Sequence, residues 1–111
     1  MAQDKMHITT AAYPPAGAAD LGVVYGSCCY SKNIIADTLS SIKNSTVGGE
    51  LSMFTELIDE GVRVALSRLE EKAAAMGAHG VYGVQIATPQ VTNGAAEVVA
   101  YGTAFVIAPR S

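Results

Sequence analysis

The segment from about Ala95 to Ala108 keeps an unbroken period of two, and its two faces differ in size rather than in polarity. The even positions, Ala96, Val98, Ala100, Gly102, Ala104 and Val106, are all small. The odd positions, Glu97, Val99, Tyr101, Thr103, Phe105 and Ile107, are larger. A face of small residues lets a helix backbone approach closely, so a helix is expected there. The larger face is too apolar to be simply solvated, so other protein should cover it, from the same chain or from a partner.

The helix that fits this face is easy to find. From about Leu51 to Met76 the apolar residues Phe54, Leu57, Ile58, Val62, Ala65, Leu66, Leu69, Ala73 and Met76 recur in steps of three and four, one continuous stripe. Glu56, Asp59, Glu60, Arg63, Arg68, Glu70, Glu71 and Lys72 fill the opposite side, with Asp59 and Arg63 spaced to pair. Acid dominates the first half, as the helix dipole prefers, and Gly77 stands where a left-handed C-terminal cap is needed. At 1.5 Å per residue the helix is about 39 Å long, more than a small sheet requires. The overhang is a natural surface for a neighbouring subunit.

The remaining elements follow from turn chemistry. Met6–Thr10 reads as a short strand that Tyr13-Pro14-Pro15-Ala16-Gly17 stops, and the apolar run Leu21–Tyr30 as a second strand. Ser31 or Asn33 can cap a shorter helix carrying Ile34, Ile35, Leu39 and Ile42, ending near Asn44 before the breakers Gly48 and Gly49. A strand from about Gly80 to Thr88 ends at Pro89, and Val91-Thr92-Asn93-Gly94 connects it to the last strand as a hairpin. The fold class is α+β: an antiparallel sheet packed against one long and one shorter helix. Residues 1–111 form a single domain, and residues 1–20 form an N-terminal arm available for contacts between copies.

Several of these residues form a familiar series. Gly48-Gly49-Glu50-Leu51 precedes Phe54-Thr55-Glu56-Leu57; then come Ala65, Leu69, Ala73 and Gly77-Ala78; then Val81-Tyr82-Gly83-Val84 and Tyr101-Gly102-Thr103-Ala104. From about Leu21 onward the chain resembles the YbjQ-like family, small bacterial and archaeal proteins labelled "putative heavy-metal-binding". The resemblance implies a dodecin-like subunit that assembles into a homo-oligomeric ring, typically a pentamer. Phe54 stands where the family commonly has tyrosine, and His79 where Asn or Asp is usual.

Charge narrows the partners. Only 15% of residues are charged, the net charge is −3, and the seven basic residues are scattered. Nucleic acid and anionic membrane are therefore not expected partners, and so little charge on a small domain agrees with self-association. The chain opens with no basic stretch followed by an apolar run, and its two adjacent cysteines offer no disulfide framework, so a reducing cytoplasm is the expected location.

Cys28, Cys29 and His79 are the candidate metal ligands, and a soft transition or heavy metal ion is the implied guest. Adjacent strand residues point to opposite faces, so one ion cannot easily take both thiols from one subunit; cysteines can still converge between subunits of a ring. The alternative is a thiol that packs as a small hydrophobe. His79 follows the helix end, where a histidine can bond orphan carbonyls. His7 lies in the first strand and can serve across a subunit boundary. Gly48 and Gly49 leave free N–H groups near the long helix's start, where an anion or ligand can sit, although tight helix entry explains them as well. Glu56, Asp59 and Glu60 read as a solvated face, and no constellation matches a catalytic site. The expected function is non-enzymatic: a ring with a metal role at thiols or subunit junctions, or else a ring that binds a small molecule through Tyr25, Tyr82 or Tyr101, or a purely structural ring.

Overall fold

Alternation at the C-terminal end builds the central strand of the molecule. The computed structural model describes residues 6–30, 49–92 and 95–107. In chain order the elements are β1 (His7–Ile8), β2 (Ala18–Tyr30), α1 (Gly49–Ala75), β3 (Gly80–Ala87), β4 (Gln90–Thr92) and β5 (Ala95–Ile107). The strands form one sheet in the order β1-β3-β5-β2, with β4 pairing the start of β5. The expected shorter helix lies outside the described residues.

The sheet is mixed, which corrects the antiparallel expectation. β5 runs antiparallel to β2, β3 and β4, but β1 lies parallel to β3, with His7 opposite Gly80 and Ile8 opposite Val81. The pairing continues past β1 through Thr9 N–H to Val81 O (3.0 Å), Val84 N–H to Thr9 O (3.0 Å) and Gly83 N–H to Ala11 O (2.8 Å). Beyond Ala11 the prolines Pro14 and Pro15 have no N–H to extend a ladder, so the chain leaves this edge. It re-enters as β2 on the far side of β5, which leaves β1 beside a strand distant in sequence and equal in direction. Gly83, at φ +64°, forms a bulge where the β3–β5 register shifts between Tyr82 and Gln85.

α1 packs where the small face predicts. Ala65, Leu69 and Ala73, four residues apart, are wholly buried against Val24, Val81, Val84, Val98, Ala100 and Ala104. The approach is closest at Gly26 of β2, where a Cβ would stand 2.2 Å from Leu69 N and 2.4 Å from Ala65 O. Only a hydrogen fits between strand and helix backbone there. The helix ends at Gly77 in the left-handed region (φ +80°), and Ala78 N–H reaches back to Ala73 O at 3.0 Å. Among the helix residues whose burial is described, Gly61 is the first buried one; before it Glu56, Ile58, Asp59 and Glu60 are exposed and Leu57 is half-buried. Among the described residues, no helix is long and apolar enough to cross a membrane.

Candidate functional site

The face of the sheet turned away from α1 carries the odd residues of β5 and the residues opposite them. Tyr25 lies opposite Tyr101, Val23 opposite Thr103, and Gln85 opposite Tyr101 from the other side. Val23 is 76% exposed, Tyr25 55% and Tyr101 39%, a run of apolar surface of the kind that other protein normally covers. Phe105 is the exception, almost wholly buried, with its ring over Gly80 and tilted against Tyr82 at 6.1 Å between centroids.

Polar atoms on this face are largely tied to each other. The Tyr82 hydroxyl donates to the Asp20 carboxylate, at 3.0 and 3.1 Å from its two oxygens, across the intervening β5. Burial raises the Tyr82 pKa above its ordinary value, and the hydrogen bond to Asp20 and the charge of Asp20 raise it further, against a smaller opposing pull from Thr103. The Tyr101 hydroxyl donates to Gln85 Oε1 at 3.2 Å. Lys72 of α1 reaches the Tyr25 ring, with Nζ 3.9 Å from its centroid.

Among the described residues β2 ends the sheet. In an antiparallel sheet the N–H and C=O of one residue point the same way. The odd residues of β5 turn theirs toward β3 and β4, as Glu97 N–H to Pro89 O (3.3 Å) and His79 N–H to Phe105 O (2.8 Å) show. Their partners Val23, Tyr25, Ser27 and Cys29 therefore direct theirs outward from the sheet. Arg68 of α1 donates to Ser27 O at 2.6 Å. Among the described residues no strand lies beyond this edge.

The candidate ligands fall at separate places. Both cysteines are free; Cys28 is half-buried opposite Val98 on the helix side, and Cys29 is exposed opposite Glu97 on the other face. His79 sits at the far end of the sheet, ten residues along β5 from Glu97, or about 33 Å at strand rise. Its ring does not serve helix carbonyls, contrary to the sequence expectation. The backbone N–H groups of Gly77 and Ala78 already cap Ala74 and Ala73, and His79 Nδ1 instead accepts from Ile107 N–H at 2.8 Å, at the end of β5. His7 is brought beside it, its N–H donating to His79 O at 3.3 Å, a neighbourhood that their separation in sequence hides. Among the described residues no three His, Cys, Asp or Glu side chains converge to hold a metal ion. Gly49 opens α1, and Gly48 lies outside the described residues. Arg63 pairs with Glu60 at 2.9 Å rather than with Asp59, on the exposed side of the helix.

Sequence reasoning missed Gly26, Arg68 on Ser27 and Asp20 on Tyr82. Gly26 had a visible signal, a glycine inside a strand otherwise rich in β-branched and aromatic residues. The two polar contacts join segments far apart in the chain and had none.

Comparison with known proteins agrees with this architecture. The family model described as "Putative heavy-metal-binding" (YbjQ_1) matches residues 6–108. A UPF0145 protein of Acinetobacter baylyi is 41% identical over 91 residues, covering 82% of this chain and 83% of that one. A UPF0145 protein of Thermus thermophilus is 46% identical over 89 residues, covering 80% and 77%. A crystal structure from Pediococcus pentosaceus, a protein with unknown function of the DUF74 family, superposes with a TM-score of 0.59 at 26% identity, over 93% of this chain and 98% of that one.

Proposed function

The chain belongs to the YbjQ-like family, and from that premise we propose that it works as one subunit of a non-enzymatic homo-oligomer that holds a metal ion at a thiol on or beside a subunit junction. The observation that carries the reading is the pairing of an exposed apolar face with an edge beyond which no described strand lies: Val23 and Tyr101 are exposed, and Tyr25, met from α1 by Lys72, is still 55% exposed beside the outer edge of β2. A second copy set against that edge pairs the outward peptide groups of β2 other than Ser27 O, which accepts from Arg68, and brings its own surface beside Val23 and Tyr25. The ring of five implied by the family resemblance is the proposed closure. The metal role takes its support from the family's description and from an exposed free thiol, Cys29. Such a thiol persists in a reducing compartment, in keeping with a cytoplasmic protein.

Native mass spectrometry with elemental analysis of the same sample tests both halves. A single defined oligomer with reproducible metal is the expected result; monomer alone at micromolar concentration overturns the assembly. Replacing both Cys28 and Cys29 by serine should abolish stoichiometric metal uptake, and unchanged uptake removes the thiols. A second reading has its own observation, the presence of Tyr25, Tyr82 and Tyr101 on one face. A reproducible organic mass in place of metal would favour a small-molecule carrier.

A further inference from the structure

We infer that Arg68, with Lys72 beside it, guards the outer edge of β2: it fixes the register in which a second copy can add there and rejects open-ended strand stacking. The inference rests on the assembly proposed above and names the residues that limit it. An exposed strand edge is a template for any strand that offers a matching row of peptide groups. β2 runs for 13 residues and directs the peptide groups of Val23, Tyr25, Ser27 and Cys29 outward. Two side chains of α1 reach that row. Arg68 Nη1 donates to Ser27 O at 2.6 Å, and Lys72 Nζ stands 3.9 Å from the centre of the Tyr25 ring. The two cations are four residues apart on the helix, so they project from the same side of it, and both end at the β2 edge.

Competition for Ser27 O decides the register. A strand that adds to β2 lies about 4.8 Å away and would offer a neutral amide N–H to that oxygen. The guanidinium already there makes a charge-assisted bond, roughly twice as strong as a neutral one, and carries only donors. An N–H arriving opposite Ser27 O therefore meets another donor. The incoming strand must leave that position without an N–H, by ending there or by placing a proline there. Lys72 adds to the barrier, because a strand laid over the edge would strip water from an ammonium with only the Tyr25 ring in exchange. At the other end, the register shift between Asp20 and Gly22 breaks the row again. Between the two interruptions Val23 and Tyr25 form the unbroken run. That is enough for one short segment of a second copy and too little for the continuous ladder of a fibril. Arg63 is the contrast on the same helix: it is exposed and pairs with Glu60, away from any strand edge.

Sedimentation velocity and thioflavin T fluorescence on the full chain test the guard. The parent should give one defined oligomer and no dye response. Arg68→Ala, which frees Ser27 O and removes the cation, should shift the distribution to larger, polydisperse, dye-binding species. Lys72→Gln should shift it the same way by less, and it carries the test if circular dichroism shows Arg68→Ala unfolded. Arg63→Ala, which removes the same charge elsewhere on α1, should match the parent. An Arg68→Ala distribution equal to the parent's, or displaced toward smaller species, overturns this inference and leaves the proposed assembly standing. Equal growth in Arg63→Ala does the same, as does an unchanged Lys72→Gln where Arg68→Ala is unfolded. A monomeric parent overturns the assembly. If Arg68→Ala then grows from monomer the guard stands, and if it too stays monomeric both fall.

Discussion

The two faces of the sheet are made from alternate residues of the same strands, yet they obey different rules. On the helix side Val24, Val98, Ala100 and Ala104 meet Ala65, Leu69 and Ala73, and every one is nearly or wholly buried within the subunit. On the opposite side Val23 and Tyr25, their immediate chain neighbours, are more than half exposed. Small residues close the first face because they admit a helix backbone; on the second, Phe105 is covered by Gly80 and Tyr82, whereas Val23, Tyr25 and Tyr101 stay exposed. The inner face therefore carries the subunit's core, and the outer face leaves large apolar side chains exposed.

That division can be broken from either side. The largest effect should come from Gly26→Val, because the new Cβ would meet helix backbone, which cannot yield as a side chain end can. Overpacking ordinarily costs about 1–3 kcal/mol, and a backbone clash lies at or above the top of that range. No cooperative urea transition is expected at 25 °C. A near-normal transition would show that the helix does not sit on the strand. Leu69→Ala should cost about 3 kcal/mol in the same measurement, a cavity at a site with no exposed surface. Val23→Lys sharpens the comparison from the other face. It should change subunit unfolding by under about 0.5 kcal/mol yet shift light scattering toward smaller species. A large loss of subunit stability instead would mean that the outer face belongs to the core.

The smallest effect concerns pH. Because the folded chain holds the Tyr82 proton above the ordinary value of 10.0, this group's contribution is fully present below about pH 10. It is lost as pH rises through the folded pKa, since the unfolded chain gives up its proton first. The thermal midpoint should therefore fall across that alkaline window, and Tyr82→Phe should flatten the fall. An identical slope in the variant would show that Tyr82 is not the group responsible.

What sequence could show depended on how local each signal was. The long helix, expected over Leu51–Met76, is found at Gly49–Ala75, and the last strand at Ala95–Ile107, because each is written in a period over many residues. The size alternation of β5 also located the helix on the correct face. The parallel pairing of β1 with β3 was not legible: His7–Ile8 is too short to carry a pattern, and its partner lies far along the chain. At the candidate site, alternation alone separated Cys28 from Cys29. It could not show that Cys29 faces Glu97, which depends on the register between β2 and β5. His79 was legible as a residue beyond the helix end but not as an acceptor for Ile107, since that bond needs the end of β5 to arrive beside it.

The contact at Gly26 also bears on how the chain avoids folding wrongly. β2 and β5 are long, apolar and permissive, and such strands can slide past one another while keeping most of their hydrogen bonds. A slip of one residue would bring Tyr25 or Ser27 to the place where α1 lies on the strand, and neither can occupy a gap that excludes even a methyl group. The helix can dock only on the correctly aligned pair. A residue with no side chain thereby acts as a checkpoint in folding, rejecting misaligned sheets by sterics at the place where its backbone lies against the helix.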